Sequence, residues 1–115
     1  MQLRKMSETV FVGGQILPGD VPELKAHGFR SIICNRPDGE EFGQPAFADI
    51  AAAAQAAGLE ARCIPVRSGV IRPDDAASFA QALRELPGPV LAYCRSGARS
   101  ASLWALSQAG RLAAE

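Results

Sequence analysis

Residues 90–102 read VLAYCRSGARSAS. Four apolar positions, Val90 to Tyr93, lead into Cys94; the chain then turns through Arg95, Ser96 and Gly97 and resumes in alanines and serines. A continuous apolar run bounded by Gly88-Pro89 on one side and a glycine turn on the other reads as a fully buried strand. The stretch after the turn opens a helix. A buried strand that passes straight into a helix is the repeating unit of a parallel sheet covered on both faces.

The same grammar recurs upstream. RSIICN (30–35) and ARCIPV (61–66) are further apolar strands, and TVFVGGQI (9–16) is an extended entry ending in a glycine turn. Between them, Gly19-Asp20 starts a short helix with Asp20 as N-cap, Glu23 at the third position and Gly28 as terminator. Phe47, Ile50, Ala51, Ala54 and Ala57 recur at helical spacing, and Gly58 closes that helix. Pro73 suits the first turn of another, in which Phe79, Leu83 and Leu86 share a face. A last helix carries a stripe of Ala101, Trp104, Ala105, Ala109 and Leu112. These spacings predict an α/β fold of three layers, a mainly parallel central sheet with helices on both faces. The 115 residues fit one domain, 1–115, with a single core.

In such sheets ligands bind beyond the carboxyl ends of the strands. Three loops should meet there: NRPDGEE after the strand ending at Asn35, RSGVIRPDD after Val66, and CRSGARS after Tyr93. Formal net charge is zero, which leaves no electrostatic footprint for nucleic acid or an acidic membrane, so any cationic site must be local. Three cysteines without a CxxC pair speak against a disulfide framework or a zinc site. MQLRKMSETV contains no apolar leader, and the alanine-rich stretch from Ala46 is too short and too polar for a membrane span. The expected compartment is cytoplasmic, and no cofactor or metal is called for.

CRSGARS carries the chemistry. A helix N-terminus presents unpaired N–H groups and the positive end of the helix dipole. A loop curled around it, opened by Gly97, turns further N–H groups inward and makes an anion cradle. Cys94 at its floor should be an acidified thiolate and therefore a nucleophile. Arg99 is placed to return to the mouth and grip an anion with its planar fork. Arg95, Ser96, Gly97 and Ala98 line the loop, and Ser100 is expected to donate to the Cys94 sulfur or to a loop carbonyl. Cys34 and Cys63 lie inside apolar strands and read as small core residues.

The other candidates each have a plainer counterpart. Arg36 is placed to draw an anion to the crevice and Asp38 to order its loop; equally, Asp38 and Gly39 simply fold a turn. Arg67 and Ser68 follow the IPV strand, where Arg67 would add positive charge. Asp74 and Asp75, beside Pro73, read as first-turn carboxylates favouring the helix dipole. His27 reads as a helix cap and Trp104 as core.

YCRSGARSA resembles the active-site loop of single-domain rhodaneses, which carry sulfur as a persulfide on this cysteine. It is also similar to the phosphate loop of cysteine-dependent phosphatases, His-Cys-x5-Arg, with Tyr93 for the histidine and one residue fewer before Arg99. VFVGGQI, IICNRPDGEEFGQP and CIPVRSG together resemble a bacterial family, the beta-lactamase hydrolase-like protein, phosphatase-like domain. That resemblance spans about residues 7–110. It implies a cysteine-phosphatase-like fold, and it implies as partners a persulfide dioxygenase-like domain or a sulfide-oxidising flavoprotein.

Two observations tilt the expected activity toward sulfur. The shorter Cys-x4-Arg loop encloses less space than a phosphate loop, and no aspartate directly follows IPV to protonate a leaving group. The expectation is thus a sulfurtransferase moving sulfane sulfur from thiosulfate or a small persulfide, through a Cys94 persulfide held by the N–H groups of residues 95–99, to a thiol acceptor. The alternatives are a small cysteine phosphatase acting through phosphocysteine and a non-catalytic anion- or persulfide-binding module.

Overall fold

The computed structural model describes the backbone of residues 1–114 and the side chains of residues 1–109. Among the described residues, five strands form one sheet in the order β1-β2-β5-β3-β4. They are β1 (Leu3–Lys5), β2 (Val10–Gly13), β3 (Ser31–Cys34), β4 (Glu60–Cys63) and β5 (Val90–Tyr93). All neighbours pair in parallel except β1, which runs antiparallel to β2 at one edge. The helices are α1 (Val21–Ala26), α2 (Phe47–Ala57), α3 (Pro73–Glu85) and α4 (Ala98–Ala114).

Alternation along the strands divides the core into two layers, as the pleat requires. Ile32, Cys34, Leu91 and Tyr93 face one side, where Val21 and Leu24 of α1 and Ile50 and Ala54 of α2 cover them. Ile33, Val90 and Ala92 face the other, beneath Phe79 and Ala82 of α3 and Leu103 of α4. This is the expected three-layer α/β fold, and every residue of β3 and β5 is buried.

Several elements differ in detail. β1 was not legible because LRK is polar and its strand lies at an edge, with an exposed face. β4 is shorter than ARCIPV and only half-buried, since it forms the opposite edge. The chain beyond it still follows β3, with the Ile64 and Val66 N–H groups donating to the Cys34 and Asn35 carbonyls. Asp20 does stand at the N-cap of α1, but its carboxylate accepts the Leu17 N–H at 2.8 Å, bracing the preceding 3-10 turn instead of capping α1.

The stripe on α4 is rotated by about one residue. Arg99, Ser100, Leu103 and Ser107 are buried, Ala101 and Trp104 pack beside them, and Ala105 and Ala109 are exposed. Leu112 lies outside the described side chains. In an alanine-rich helix the apolar periodicity is weak, and the single well-placed Leu103 fixes the face.

Candidate active site

Cys94 follows the last residue of β5 and is 1% exposed. Its sulfur accepts the Gly97 N–H at 3.1 Å. Burial alone would raise the thiol's pKa, but hydrogen bonds from the backbone N–H groups of Ser100, Gly97, Ser96 and Arg99 outweigh it and bring it below its ordinary value. An acidified cysteine at the head of a helix is thus present. The donors run from residue 96 to residue 100, shifted from the expected 95–99. The Arg95 N–H is not among them, and the Ala98 N–H turns aside to the Ser96 hydroxyl at 3.3 Å.

The outside of the loop rests on the glycine turn after β2. The Cys94 N–H donates to the Gly13 carbonyl, and the Gln15 N–H donates to the Arg95 carbonyl. A Cβ on Gly14 would stand 2.9 Å from that Arg95 carbonyl oxygen. Gly97 takes φ 96°, and a Cβ there would press on the Gly13 backbone at 3.3 Å. Both glycines are therefore needed for the two turns to touch.

Arg99 is 8% exposed and rises from the first turn of α4 to the mouth of the loop. Its Nη1 donates to the Val66 carbonyl and to Glu40 Oε2, each at 2.8 Å, and its Nη2 to Glu40 Oε1 at 2.9 Å. Those bonds use three of the guanidinium's five N–H groups. The Nε–H and one Nη2–H remain on the other edge, and the nearby Cys94 adds to Glu40 in favouring the cationic form of Arg99. Glu40 grips the end of the fork and leaves its side for an anion above the sulfur.

Arg36, 2% exposed, completes the cluster. It donates to Gln15 Oε1 at 2.9 Å, to Glu40 Oε1 at 3.0 Å and to Glu41 Oε2 at 3.2 Å. Arg95 is largely exposed and reaches Glu41 at 3.4 Å. Hydrogen bonds from Arg99, and then from Arg36, hold the Glu40 carboxyl below its ordinary range despite some burial.

Asp38 stands apart from these arginines and accepts the Phe47 N–H at 2.9 Å, tying its loop to the start of α2. Ser100 does not donate to the sulfur. Its hydroxyl faces β3 and donates to Asn35 Oδ1 at 2.8 Å, while Asn35 Nδ2 donates to the Ile64 carbonyl at 3.0 Å. Arg67 is exposed, and its guanidinium takes part in none of these contacts; its carbonyl closes a turn on the Val70 N–H.

Two of the three expected loops therefore meet, by different means: CRSGARS gives backbone donors and Arg99, and NRPDGEE gives charged side chains. Among the described residues no hydrogen bond or ion pair joins RSGVIRPDD (67–75) to the cluster, and only the Val66 carbonyl just ahead of it does so. Gln15, Asn35, Glu40 and Glu41 were not recognised in the sequence. The available signal was two adjacent acids in a loop destined for a cluster of arginines, in a chain with no net charge to explain them.

The family model described as "Beta-lactamase hydrolase-like protein, phosphatase-like domain" matches residues 2–111. The chain belongs to this family. A beta-lactamase hydrolase-like protein of Agrobacterium fabrum is 41% identical over 109 residues, covering 95% of this chain and 25% of its own length. The chain thus spans about a quarter of that curated relative. A Neisseria meningitidis crystal structure, whose phosphatase assignment is provisional, superposes with a TM-score of 0.85 at 37% identity, covering 90% of this chain and 74% of the other. The core catalytic domain of a yeast (S. cerevisiae) PP-IP phosphatase shares the fold, with a TM-score of 0.60 at 14% identity, covering 83% of this chain and 56% of that one.

These findings overturn the expectation of a rhodanese-like sulfurtransferase acting through a Cys94 persulfide with a sulfur donor and a thiol acceptor. The family is described as phosphatase-like, and the Neisseria structure, at 37% identity, carries a phosphatase assignment. Loop length alone does not set the size of the site, because the side chains of Arg99 and Arg36 and the loop after β3 add to its backbone. Carboxylates do reach the site, but from the loop after β3, where Glu40 and Glu41 pair with the arginines and Glu40 is held ionised. Asp75 accepts the Arg72 N–H at 2.9 Å at the start of α3, as its helix-end reading anticipated. Among the described residues no group of three His, Cys, Asp or Glu is placed to hold a metal, and no helix is long and apolar enough to cross a membrane.

Proposed function

We propose that this chain is a cysteine-dependent phosphatase that hydrolyses phosphate monoesters through a phosphocysteine at Cys94. The observation that carries the reading is the ring of four backbone N–H groups on an acidified sulfur, with the open edge of Arg99 above it. That arrangement complements a trigonal, negatively charged phosphoryl group in flight, where preorganised donors contribute most.

In the first step the Cys94 sulfur attacks phosphorus and the bond from phosphorus to the ester oxygen breaks. Loop N–H groups and the Arg99 side edge hold the non-bridging oxygens. Water then attacks the phosphocysteine, the phosphorus–sulfur bond breaks, and inorganic phosphate leaves with the thiolate restored. Glu40 is held ionised by Arg99 and Arg36, so it has no proton to give a departing oxygen. Substrates whose leaving group is weakly basic are therefore favoured, and aryl phosphates should exceed alkyl phosphates.

The test is acid-quenched turnover of an aryl phosphate, followed by peptide mapping. The expected result is a phosphorylated Cys94 peptide that accumulates during turnover and is missing in Cys94→Ser. Steady hydrolysis by the Cys94→Ser protein, or turnover with phosphate found on another residue, would refute the proposal.

A further inference from the structure

We infer that Cys34 and Cys63 form a redox-active dithiol, a modification site separate from Cys94, which peroxide-class oxidants close into a disulfide between β3 and β4. The two cysteines are register partners on adjacent parallel strands, so they occupy the same face at the same level of the sheet. Neighbouring strands lie about 4.7–4.9 Å apart. That spacing falls inside the range of roughly 4.4–6.8 Å that disulfides span between Cα atoms, so the register places the two sulfurs within bridging range. Both thiols are free; the Cys34 thiol donates to the Arg36 carbonyl at 3.2 Å, and each cysteine is close enough to shift the other's pKa.

The partners are chemically unequal. The hydrogen bond from Cys63 draws the Cys34 thiol down to about 7 against burial, with Tyr93 assisting, and the same contact keeps Cys63 protonated. Asp38 opposes ionisation of both from the loop above. Cys34 is buried, whereas Cys63 is half-exposed on the edge strand and gives a small reagent access to the pair. A low thiol pKa beside a second thiol is the pattern of a reacting and a resolving cysteine.

The electron balance closes with one peroxide. The Cys34 thiolate sulfur takes an oxygen from hydrogen peroxide, the O–O bond breaks, and hydroxide leaves to give a sulfenic acid. The Cys63 sulfur then displaces the sulfenic hydroxyl, which departs as water with the Cys63 proton. The two thiols supply two electrons, peroxide accepts them, and two waters form. The product staples the carboxyl ends of β3 and β4 beneath Asn35 and Arg36, at the root of the loop that carries Glu40.

This inference is independent of the phosphatase reading, and its test avoids activity. The Cys94→Ser protein is treated with hydrogen peroxide, unfolded under alkylating conditions and mapped without reduction. The expected product is a Cys34–Cys63 linked peptide with an intact mass lower by two hydrogens, reversed by dithiothreitol. Cys94→Ser/Cys63→Ser should lose the link and instead gain oxygen at Cys34. Because Cys63 lies at the half-exposed sheet edge, that variant keeps the test alive if Cys34→Ser folds poorly. Full alkylation of both cysteines after peroxide treatment that oxidises Cys94 in the parent protein would overturn the inference. So would a link in the parent protein that joins either cysteine to Cys94 instead.

Discussion

The loops after β5 and after β3 leave neighbouring strands at the same end of the sheet, yet they build their halves of the site in opposite ways. Residues 94–100 act through the backbone: four N–H groups converge on one sulfur because a helix begins there. Residues 35–46 act through long side chains: Arg36, Glu40 and Glu41 form a lattice that reaches Gln15, Arg95 and Arg99. Backbone donors are fixed by the fold itself and are not removed by truncating a side chain. A lattice of ion pairs is adjustable and can be dismantled residue by residue. The backbone half should therefore set whether chemistry occurs, and the side-chain half should set how well the anion is held.

The largest effect tests the backbone half through its one reactive atom. Cys94→Ser should lower kcat for an aryl phosphate on the order of 10⁴-fold or more, as loss of a nucleophile does in other hydrolases. The thermal midpoint should change little, since serine fills nearly the same space. In the parent protein the acid limb of kcat/KM, and the rate of Cys94 alkylation by iodoacetamide, should titrate below the ordinary thiol pKa. An alkylation midpoint at or above the ordinary value would show that burial wins over the N–H ring.

Arg99 belongs to both halves, because α4 positions it and Glu40 orients it. Arg99→Lys keeps the charge but loses the planar fork, so kcat/KM should fall by about 10²–10³-fold, the usual cost of one preorganised transition-state donor. Steady-state kinetics on one aryl phosphate decides it. A change confined to KM would mean that Arg99 attracts the substrate without following it into the transition state.

Glu40→Gln separates orientation from obstruction. If Glu40 holds the end of the Arg99 fork so that its side faces the sulfur, the neutral amide should lower kcat by roughly 10-fold, near the lower end of donor-loss effects. If Glu40 instead competed with substrate for Arg99, KM would fall and kcat would hold. The pair has a signature in stability as well. Because the folded carboxyl is depressed, its contribution is present above the unfolded carboxylate pKa and disappears as pH falls through the folded value. Melting curves of the parent and Glu40→Gln should thus diverge near neutrality and merge in acid.

The same contrast explains what could be read from the chain. CRSGARS was legible because glycine, helix start and cysteine lie within seven residues, and local backbone geometry follows local sequence. β3 and β5 were legible because burial on both faces forces continuous apolar runs. Glu40 and Arg99 are 59 positions apart, and nothing local signals that they meet. The pairing of Cys34 with Cys63 depends on strand order and register, which no single strand encodes. Ser100 sits beside the cradle as its position in the motif implies, but its hydroxyl follows the helix face toward β3 and bonds Asn35, a partner that local sequence does not signal.

The smallest effect lies where the side-chain loop is fastened. The N-cap of α2 is Ala46, which offers no side-chain acceptor to the first turn. Asp38 fills that role from outside the helix, accepting the Phe47 N–H at 2.9 Å across the whole turn of the loop. Replacing a capping acceptor by alanine costs about 1 kcal/mol in comparable helices, and Asp38→Ala should lose about that in urea unfolding. Asp38→Asn keeps an oxygen acceptor and gives up only the charge that favours a helix N-terminus, so it should retain most of the difference. Activity should decline only a few-fold in Asp38→Ala, as substrate capture, because Arg36 and Glu40 remain but their loop is less firmly held. A collapse of kcat comparable to that of Arg99→Lys would erase the proposed division between the loops and make the fastening of Asp38 part of the chemistry.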